Sequence, residues 1–279
     1  MNQAAKKLGL IAGSGYLPKE IIDSCKVNSR DIFVIALEDI TENTTINNTE
    51  HELVHIGKVG KIIKLLKKNN IDEIVLAGRV GRPSPSSLKL DFTAIRLLKK
   101  FMKLPSQGDD KIFSTIIELL EEKGFDVIGA DDVLHELLIK EEVLGTIKPD
   151  KIAEKDIQIG VRAALEIGKL DIGQAVITQQ GMILGVEGAE GTDRLVERCK
   201  KLHNQGLGGV LIKMKKPGQD RRVDLPSIGV HTIENAHKSG LRGIAVEAGG
   251  ALIINKENVI KRADELGIFI VGIKAKKII

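Results

Sequence analysis

The opening of the chain, Lys7 to Cys25, constrains the fold more than any other stretch. Lys7–Ala12 is a short apolar run that reads as a strand, followed by Gly13-Ser14-Gly15, then Pro18, then a helix through Ile21, Ile22 and Cys25. Strand, glycine turn and helix in this order form the first βα unit of a parallel sheet. Such a turn lets the backbone come close to an anion while the helix start offers free N–H groups and the positive end of its dipole. Pro18 suits the first helical turn, where a missing N–H costs little. Asp31–Leu37 reads as a second strand with Glu38 at its end, where an acid meets a ribose in dinucleotide-binding units. Pro18, however, stands where the third glycine of G-x-G-x-x-G would be. The sequence therefore leaves Gly13, Ser14 and Gly15 open between a phosphate cradle and a tight βα connection.

The rest of the first half continues the alternation. Glu52–Ile56 reads as a strand, and Lys58–Asn69 as a helix with Val59, Ile62, Ile63 and Leu66 on one face. Glu73–Ala77 is a strand that ends in Gly78-Arg79-Val80-Gly81-Arg82-Pro83. Ligands of open α/β sheets sit outside the carboxyl ends of strands, so Arg79 and Arg82 are expected to meet phosphate or carboxylate. The plain alternative is a pair of solvated loop arginines. Ser86–Leu104 reads as an amphipathic helix with Leu88, Phe92, Ile95, Leu98 and Met102 at helical spacing and Lys89, Arg96, Lys99, Lys100 and Lys103 between them. It suits either a core-facing helix or a membrane-surface segment. Gly108–Lys123 is a further helix, Phe125–Gly129 a strand, and Asp131 or Asp132 caps the helix that follows. Gly145 and Pro149 break the pattern. The expected division is a Rossmann-like nucleotide-binding domain over residues 1–145 and an α/β catalytic domain over residues 146–279.

In the second half, Asp150–Gly168 is helical, and Gln174–Gln179 and Met182–Glu187 form a hairpin around Gly181. Then comes V-E-G-A-E-G-T-D, Val186 to Asp193, opening a helix with Thr192 as its N-cap. Glu187, Glu190 and Asp193 there either complement the helix dipole or gather oxygens for a hard cation. The chemistry is placed in Lys213–Gly229, K-M-K-K-P-G-Q-D-R-R-V-D-L-P-S-I-G, behind the apolar run Gly208–Ile212. Cations at Lys213, Arg221 and Arg222 suit anionic oxygens, and Asp224 lies among apolar neighbours, where a carboxylate is more often paired or metal-bound than idle. His231–Gly240 and Asn255–Gly267 read as helices, and Arg242–Val246, Ala251–Ile254 and Ile268–Val271 as strands.

With 42% hydrophobic residues but no Trp, one Tyr and six Phe, the core must be built from aliphatic side chains. A net charge of +4 is too small, without stacking aromatics, to argue for nucleic acid. Cys25 and Cys199 stand far apart and read as reduced thiols of a cytosolic protein. M-N-Q-A-A-K-K runs straight into the first strand, which reads as no signal peptide. No apolar run approaches the ~20 residues of a membrane span.

Taken together, L-G-L-I-A-G-S-G at Leu8–Gly15, A-G-R-V-G-R-P at Ala77–Pro83, G-D-D at Gly108–Asp110, V-E-G-A-E-G-T-D, K-P-G-Q-D-R-R-V-D-L-P-S-I-G at Lys216–Gly229 and A-V-E-A-G-G at Ala245–Gly250 resemble the LpxI family of UDP-2,3-diacylglucosamine pyrophosphatases. The resemblance covers nearly the whole chain in order. It implies hydrolysis of UDP-2,3-diacylglucosamine to UMP and 2,3-diacylglucosamine 1-phosphate (lipid X), with Mg²⁺ and with water attacking the phosphorus on the sugar side. It implies two domains and a homodimer in the cytoplasm, in transient contact with the inner-membrane surface where the lipid-linked substrate lies. The family's essential aspartate maps to Asp224, expected to hold metal or orient water. Lys213, Gln219, Arg221, Arg222, Thr192, Arg79, Arg82 and the Gly13–Gly15 turn are expected substrate contacts, and Glu187, Glu190 and Asp193 further metal ligands. The alternatives are a non-catalytic nucleotide-sugar binding protein on the same turn, or an NAD-linked oxidoreductase resting on Gly13, Gly15 and Glu38.

Overall fold

The computed structural model describes residues 6–81, 89–101, 109–218, 220–222 and 225–277. It is an α/β protein of two compact units, Met1–His135 with Asp220–Asp224, and Glu136–Gln219 with Leu225–Ile279.

The first unit runs β1 (Leu8–Ala12), α1 (Tyr16–Val27), β2 (Ile32–Leu37), α2 (Asn43–Ile46), β3 (His51–Val54), α3 (Val59–Lys68), β4 (Glu73–Ala77), α4 (Phe92–Phe101), α5 (Asp109–Glu122), β5 (Asp126–Val127) and α6 (Ala130–Val133). Its strands form one sheet of order β3-β2-β1-β4-β5, with every pairing parallel. This is the Rossmann-like open sheet that the first βα unit announces. Parallel strands are covered on both faces and so read as continuous apolar runs: Phe33 through Leu37 are all buried. The α3 face carrying Ile62, Ile63 and Leu66 packs with Ile35, Leu37, Val54 and Ile74 of the sheet and Ile117 and Leu120 of α5. The amphipathic helix is described over Phe92–Phe101, and Lys89, Leu90 and Asp91 ahead of it are not helical; Leu88, Met102 and Lys103 lie outside the described residues.

The second unit runs β6 (Val143–Leu144), α7 (Lys151–Lys169), β7 (Ala175–Gln179), β8 (Met182–Val186), α8 (Thr192–Cys199), β9 (Gly209–Lys213), β10 (Ser227–Ile228), α9 (Val230–Lys238), β11 (Leu241–Glu247), β12 (Leu252–Ile253), α10 (Lys256–Leu266) and β13 (Phe269–Ile273). Its main sheet has the order β6-β13-β11-β9-β7-β8. β9, β11 and β13 are parallel, and β6 and the β7–β8 hairpin are antiparallel additions at the two edges. Successive side chains of a strand point to opposite faces, and here they enter two different cores. Ile177, Leu211, Ile244 and Ile270 join Leu195, Ile233 and Val259 from α8, α9 and α10. Their neighbours Val176, Ile212 and Ala245 join Ala153, Ile157, Val161 and Ala164 from α7. Asp150 starts α7 by accepting the amides of Ile152 and Ala153 at 3.0 and 2.8 Å. The strand expected over Ala251–Ile254 does not enter the main sheet; β12 pairs with β10 in a separate two-stranded ribbon. Both cysteines are free and buried, and burial raises both thiol pKa values, which leaves them little thiolate. Among the described residues no helix is long and apolar enough to cross a membrane.

Candidate active site

In the first unit the strand order reverses between β1 and β4, the switch point at which open α/β sheets bind ligands. The turn after β1 and the loop after β4 meet there. Ser14 and Arg79 form an isolated antiparallel bridge, with the Ser14 amide donating to the Arg79 carbonyl at 2.9 Å and the Arg79 amide returning to the Ser14 carbonyl at 2.8 Å. The Ser14 hydroxyl adds a bond to the same Arg79 oxygen at 3.0 Å. Only glycines allow this approach. A Cβ on Gly13 would lie 2.6 Å from the Arg79 oxygen, and one on Gly78, at φ +95°, would lie 2.8 Å from the Gly13 carbonyl carbon. The Gly13 amide donates to Ala77 and the Gly15 amide to the carboxylate of Glu42, at 3.1 and 3.2 Å. Thus Gly13, Ser14, Gly15 and Arg79 are brought together, with all three turn amides bonded inside the unit. Glu42 also lines a cavity of about 510 Å³ with Glu38, Asp39, Ile40, Thr41, Asn43 and Leu53 at the end of β2. Arg82 lies outside the described residues.

Asp220, Arg221 and Arg222 group with this same unit although they stand far along the chain. Arg222 forks onto Asp220, its Nε donating to Oδ1 at 2.9 Å and its Nη2 to Oδ2 at 2.6 Å, while Nη1 donates to Glu121 of α5 at 2.5 Å. Asp220 first and Glu121 second hold the guanidinium pKa well above its usual range. Arg221 pairs through Nη2 with Asp132 and, at 3.2 Å, with Asp131. Asp132 also accepts the Gly129 amide at 2.9 Å at the head of α6. Gly129, and neither Asp131 nor Asp132, is the N-cap of α6; Asp132 supports it from the third helical position, and its pairing with Arg221 is a second role that the local sequence did not show. Glu121, on an ordinary helical face, gave no signal as a partner for Arg222. Gln219, Val223 and Asp224 lie outside the described residues.

The second unit gathers its own motifs at one sheet edge, because β8, β9 and β11 run the same way. Lys213 ends β9, is buried, and donates from Nζ to the Ser227 carbonyl of β10 at 3.1 Å. Glu247 ends β11 and accepts the Lys215 amide at 2.8 Å. Glu187 follows β8, also buried, and accepts the Gln174 amide and the Thr192 hydroxyl, each at 2.8 Å. Thr192 is therefore not the N-cap of α8. Gly191 holds that place at φ 80°, and the threonine hydroxyl turns to Glu187. Glu190 pairs with Arg198 at 3.0 Å. Its carboxyl pKa is lowered by its own backbone amide and by that arginine. Asp193 lies 3.9 Å from His231. Among the described residues no three His, Cys, Asp or Glu side chains stand close enough to hold a metal ion. Glu187 and Glu190 serve the β8–α8 connection.

Family models match both halves of the chain, the LpxI N-terminal domain over residues 7–137 and the LpxI C-terminal domain over residues 140–271. The UDP-2,3-diacylglucosamine pyrophosphatase LpxI of Caulobacter vibrioides is 38% identical over 274 residues, 96% of this chain and 98% of that protein. The chain belongs to the LpxI family. The two LpxI domains meet where the two compact units divide, between His135 and Lys140. Among solved structures, the biotin carboxylase domain of 2-oxoglutarate carboxylase from Hydrogenobacter thermophilus aligns over 72% of this chain and 41% of its own. Its TM-score is 0.28 and its identity 16%, a likeness too slight to bear on fold or function. The LpxI match covers every described site residue, those of the Ser14–Arg79 bridge and those of the Lys213 edge alike.

Proposed function

We propose that this chain hydrolyses the diphosphate of UDP-2,3-diacylglucosamine, giving UMP and 2,3-diacylglucosamine 1-phosphate for lipid A biosynthesis. The observation that carries the reading is the similarity to the Caulobacter enzyme over 96% of this chain, through both domains. The chemistry required is clear. A diphosphate repels a nucleophile by its own charge, so the enzyme must offset that charge and aim a water molecule. Water forms a bond to the sugar-side phosphorus, the bond from that phosphorus to the UMP oxygen breaks, and the water's proton passes to a base. Asp224 is the base or the residue that orients the water. Lys213 supplies positive charge at the end of β9, and Arg79 stands at the switch point of the first sheet.

Arg222 takes a positioning part beside the phosphate contact expected of it. It donates to Asp220 and Glu121, and in that way holds the segment that bears Asp224. Mg²⁺ belongs to the same proposal. In phosphoryl chemistry it is held by one or two carboxylates together with substrate phosphate oxygens, not by an all-protein cage. Bound in that way through Asp224 and the diphosphate, it would neutralise charge on the oxygens. The substrate carries acyl chains, so the enzyme meets it at the cytoplasmic face of the inner membrane as a peripheral protein, and it works as a homodimer.

The deciding experiment is release of UMP from UDP-2,3-diacylglucosamine by the purified chain, with Mg²⁺ and with a chelator. Release that the chelator abolishes supports the whole reading. Release that survives it removes the metal and leaves the hydrolase. Binding of the nucleotide sugar with no release would make the protein a binding module instead.

A further inference from the structure

Helix α4 carries two apolar stripes, and among the described residues only one of them is packed. Ala94 is buried and Leu97 half-buried, on the side where α4 meets α3 and α5. Asp91 fixes the start of the helix, accepting the Ala94 amide at 2.9 Å and the Gly60 amide of α3 at 2.7 Å. Phe92, Ile95 and Leu98 recur three residues apart and lie on a neighbouring face, at about 100° per residue. They are 93, 39 and 42% exposed. The other phenylalanines in strands or next to them, Phe33, Phe125 and Phe269, are buried. Single exposed apolar residues are ordinary, but a run of three along one helix face marks an interaction surface.

Charge selects the occupant. The α4 sequence F-T-A-I-R-L-L-K-K-F contains no acidic residue. Arg96 and Lys99 are exposed beside the apolar stripe on its Phe92 side, and the exposed Lys89 precedes the helix. Lys100, one step further round, is bound back to Glu118 and Glu122 of α5 at 3.0 and 3.2 Å. A second copy of this face would bring cations against cations. An anionic bilayer answers both features, since apolar side chains enter the acyl boundary while arginine and lysine meet lipid phosphates.

We infer that the Phe92–Lys99 face of α4 is a docking surface for anionic lipid bilayers. This rests on the proposed lipid substrate and deepens it, because it names the part of the chain that brings the enzyme to that substrate. The test is co-sedimentation of the full chain with phosphatidylcholine vesicles and with mixed phosphatidylcholine–phosphatidylglycerol vesicles, at low and high salt. The expected result is binding to the mixed vesicles that weakens with salt. Arg96→Glu with Lys99→Glu, and separately Phe92→Ser with Ile95→Ser, should each lower vesicle affinity about tenfold or more. All variants should melt as the wild type does and release UMP normally from a short-chain substrate dispersed without vesicles. Equal binding to both vesicle types, no binding to either, or unchanged binding in both double variants would overturn the inference and leave the hydrolase reading intact. Failure of the wild type to release UMP from the dispersed substrate would instead overturn the reading on which the inference rests.

Discussion

Arg222 and Glu121 stand 101 residues apart in sequence and 2.5 Å apart in space. Together with the fork of Arg222 on Asp220, this contact ties the segment just ahead of Asp224 to α5. Replacing Arg222 by Ala should lower kcat for UMP release by about tenfold or more, equivalent to ~1.4 kcal/mol in the barrier. Stability should change little, because the pair is partly exposed and such pairs contribute about 1 kcal/mol or less. Lysine should not rescue, since it replaces a planar fork with a point charge. Steady-state kinetics beside a thermal melt decide it. Normal turnover in Arg222→Ala would return this arginine to a solvated loop.

Asp224→Asn keeps the size of the side chain and removes its charge. If Asp224 takes the proton or orients the water, kcat should fall by ~10²–10⁴-fold while the nucleotide sugar still binds. Rapid-quench turnover and equilibrium binding separate the two effects. Near-wild-type kcat would move the base elsewhere.

Hydrolysis in ¹⁸O-labelled water should place the label in the diacylglucosamine 1-phosphate and leave UMP unlabelled, because attack is proposed at the sugar-side phosphorus. Mass spectrometry of both products reads this directly. Label in UMP would assign the attack to the other phosphorus.

Gly78→Ala should destabilise the first unit by about 1–3 kcal/mol. The substitution sets an alanine at φ +95° and pushes its Cβ against Gly13, Ser14 and Pro18. A chain of this size should then melt ~2–4 °C lower for each kcal/mol. An unchanged melt would mean that the Ser14–Arg79 bridge is easily rebuilt.

Asp150 carries a pH dependence of known sign. Its carboxyl pKa is lowered, chiefly by the Arg242 side chain and then by the Ala153 amide. A group whose folded pKa is depressed contributes stability above its unfolded value, near 4, and that contribution fades as the pH falls through the folded one. Asp150→Asn should therefore melt lower than wild type at pH 7, and the gap should close at strongly acidic pH. A constant gap at both pH values would show that the N-cap geometry, and not the charge, makes the difference.

Much of this protein was legible in its sequence. The βα opening at Leu8–Val27, the apolar strands and the helical faces follow from local rules, because a strand repeats every two residues and a helix every 3.6. The motifs around Gly13, Arg79, Glu187 and Lys213 named the family for the same reason: each lies within one continuous segment. Tertiary structure decided the partners. Arg221 and Arg222 read as cations near one another, and only the fold brought Asp131, Asp132 and Glu121 beside them from positions 89 to 101 residues away. Thr192 looked like a helix cap until the buried Glu187 claimed its hydroxyl. β12 read as a strand, but only the chain's path assigned it to β10 and not to the main sheet. In α4, periodicity placed Phe92, Ile95 and Leu98 on one face, yet whether that face would be covered depended on where α3 and α5 lay. Spacing along a chain fixes which side chains share a face or a turn. Which charge neutralises another, and which apolar surface stays wet, is settled when distant segments pack, because those energies depend on distance in space.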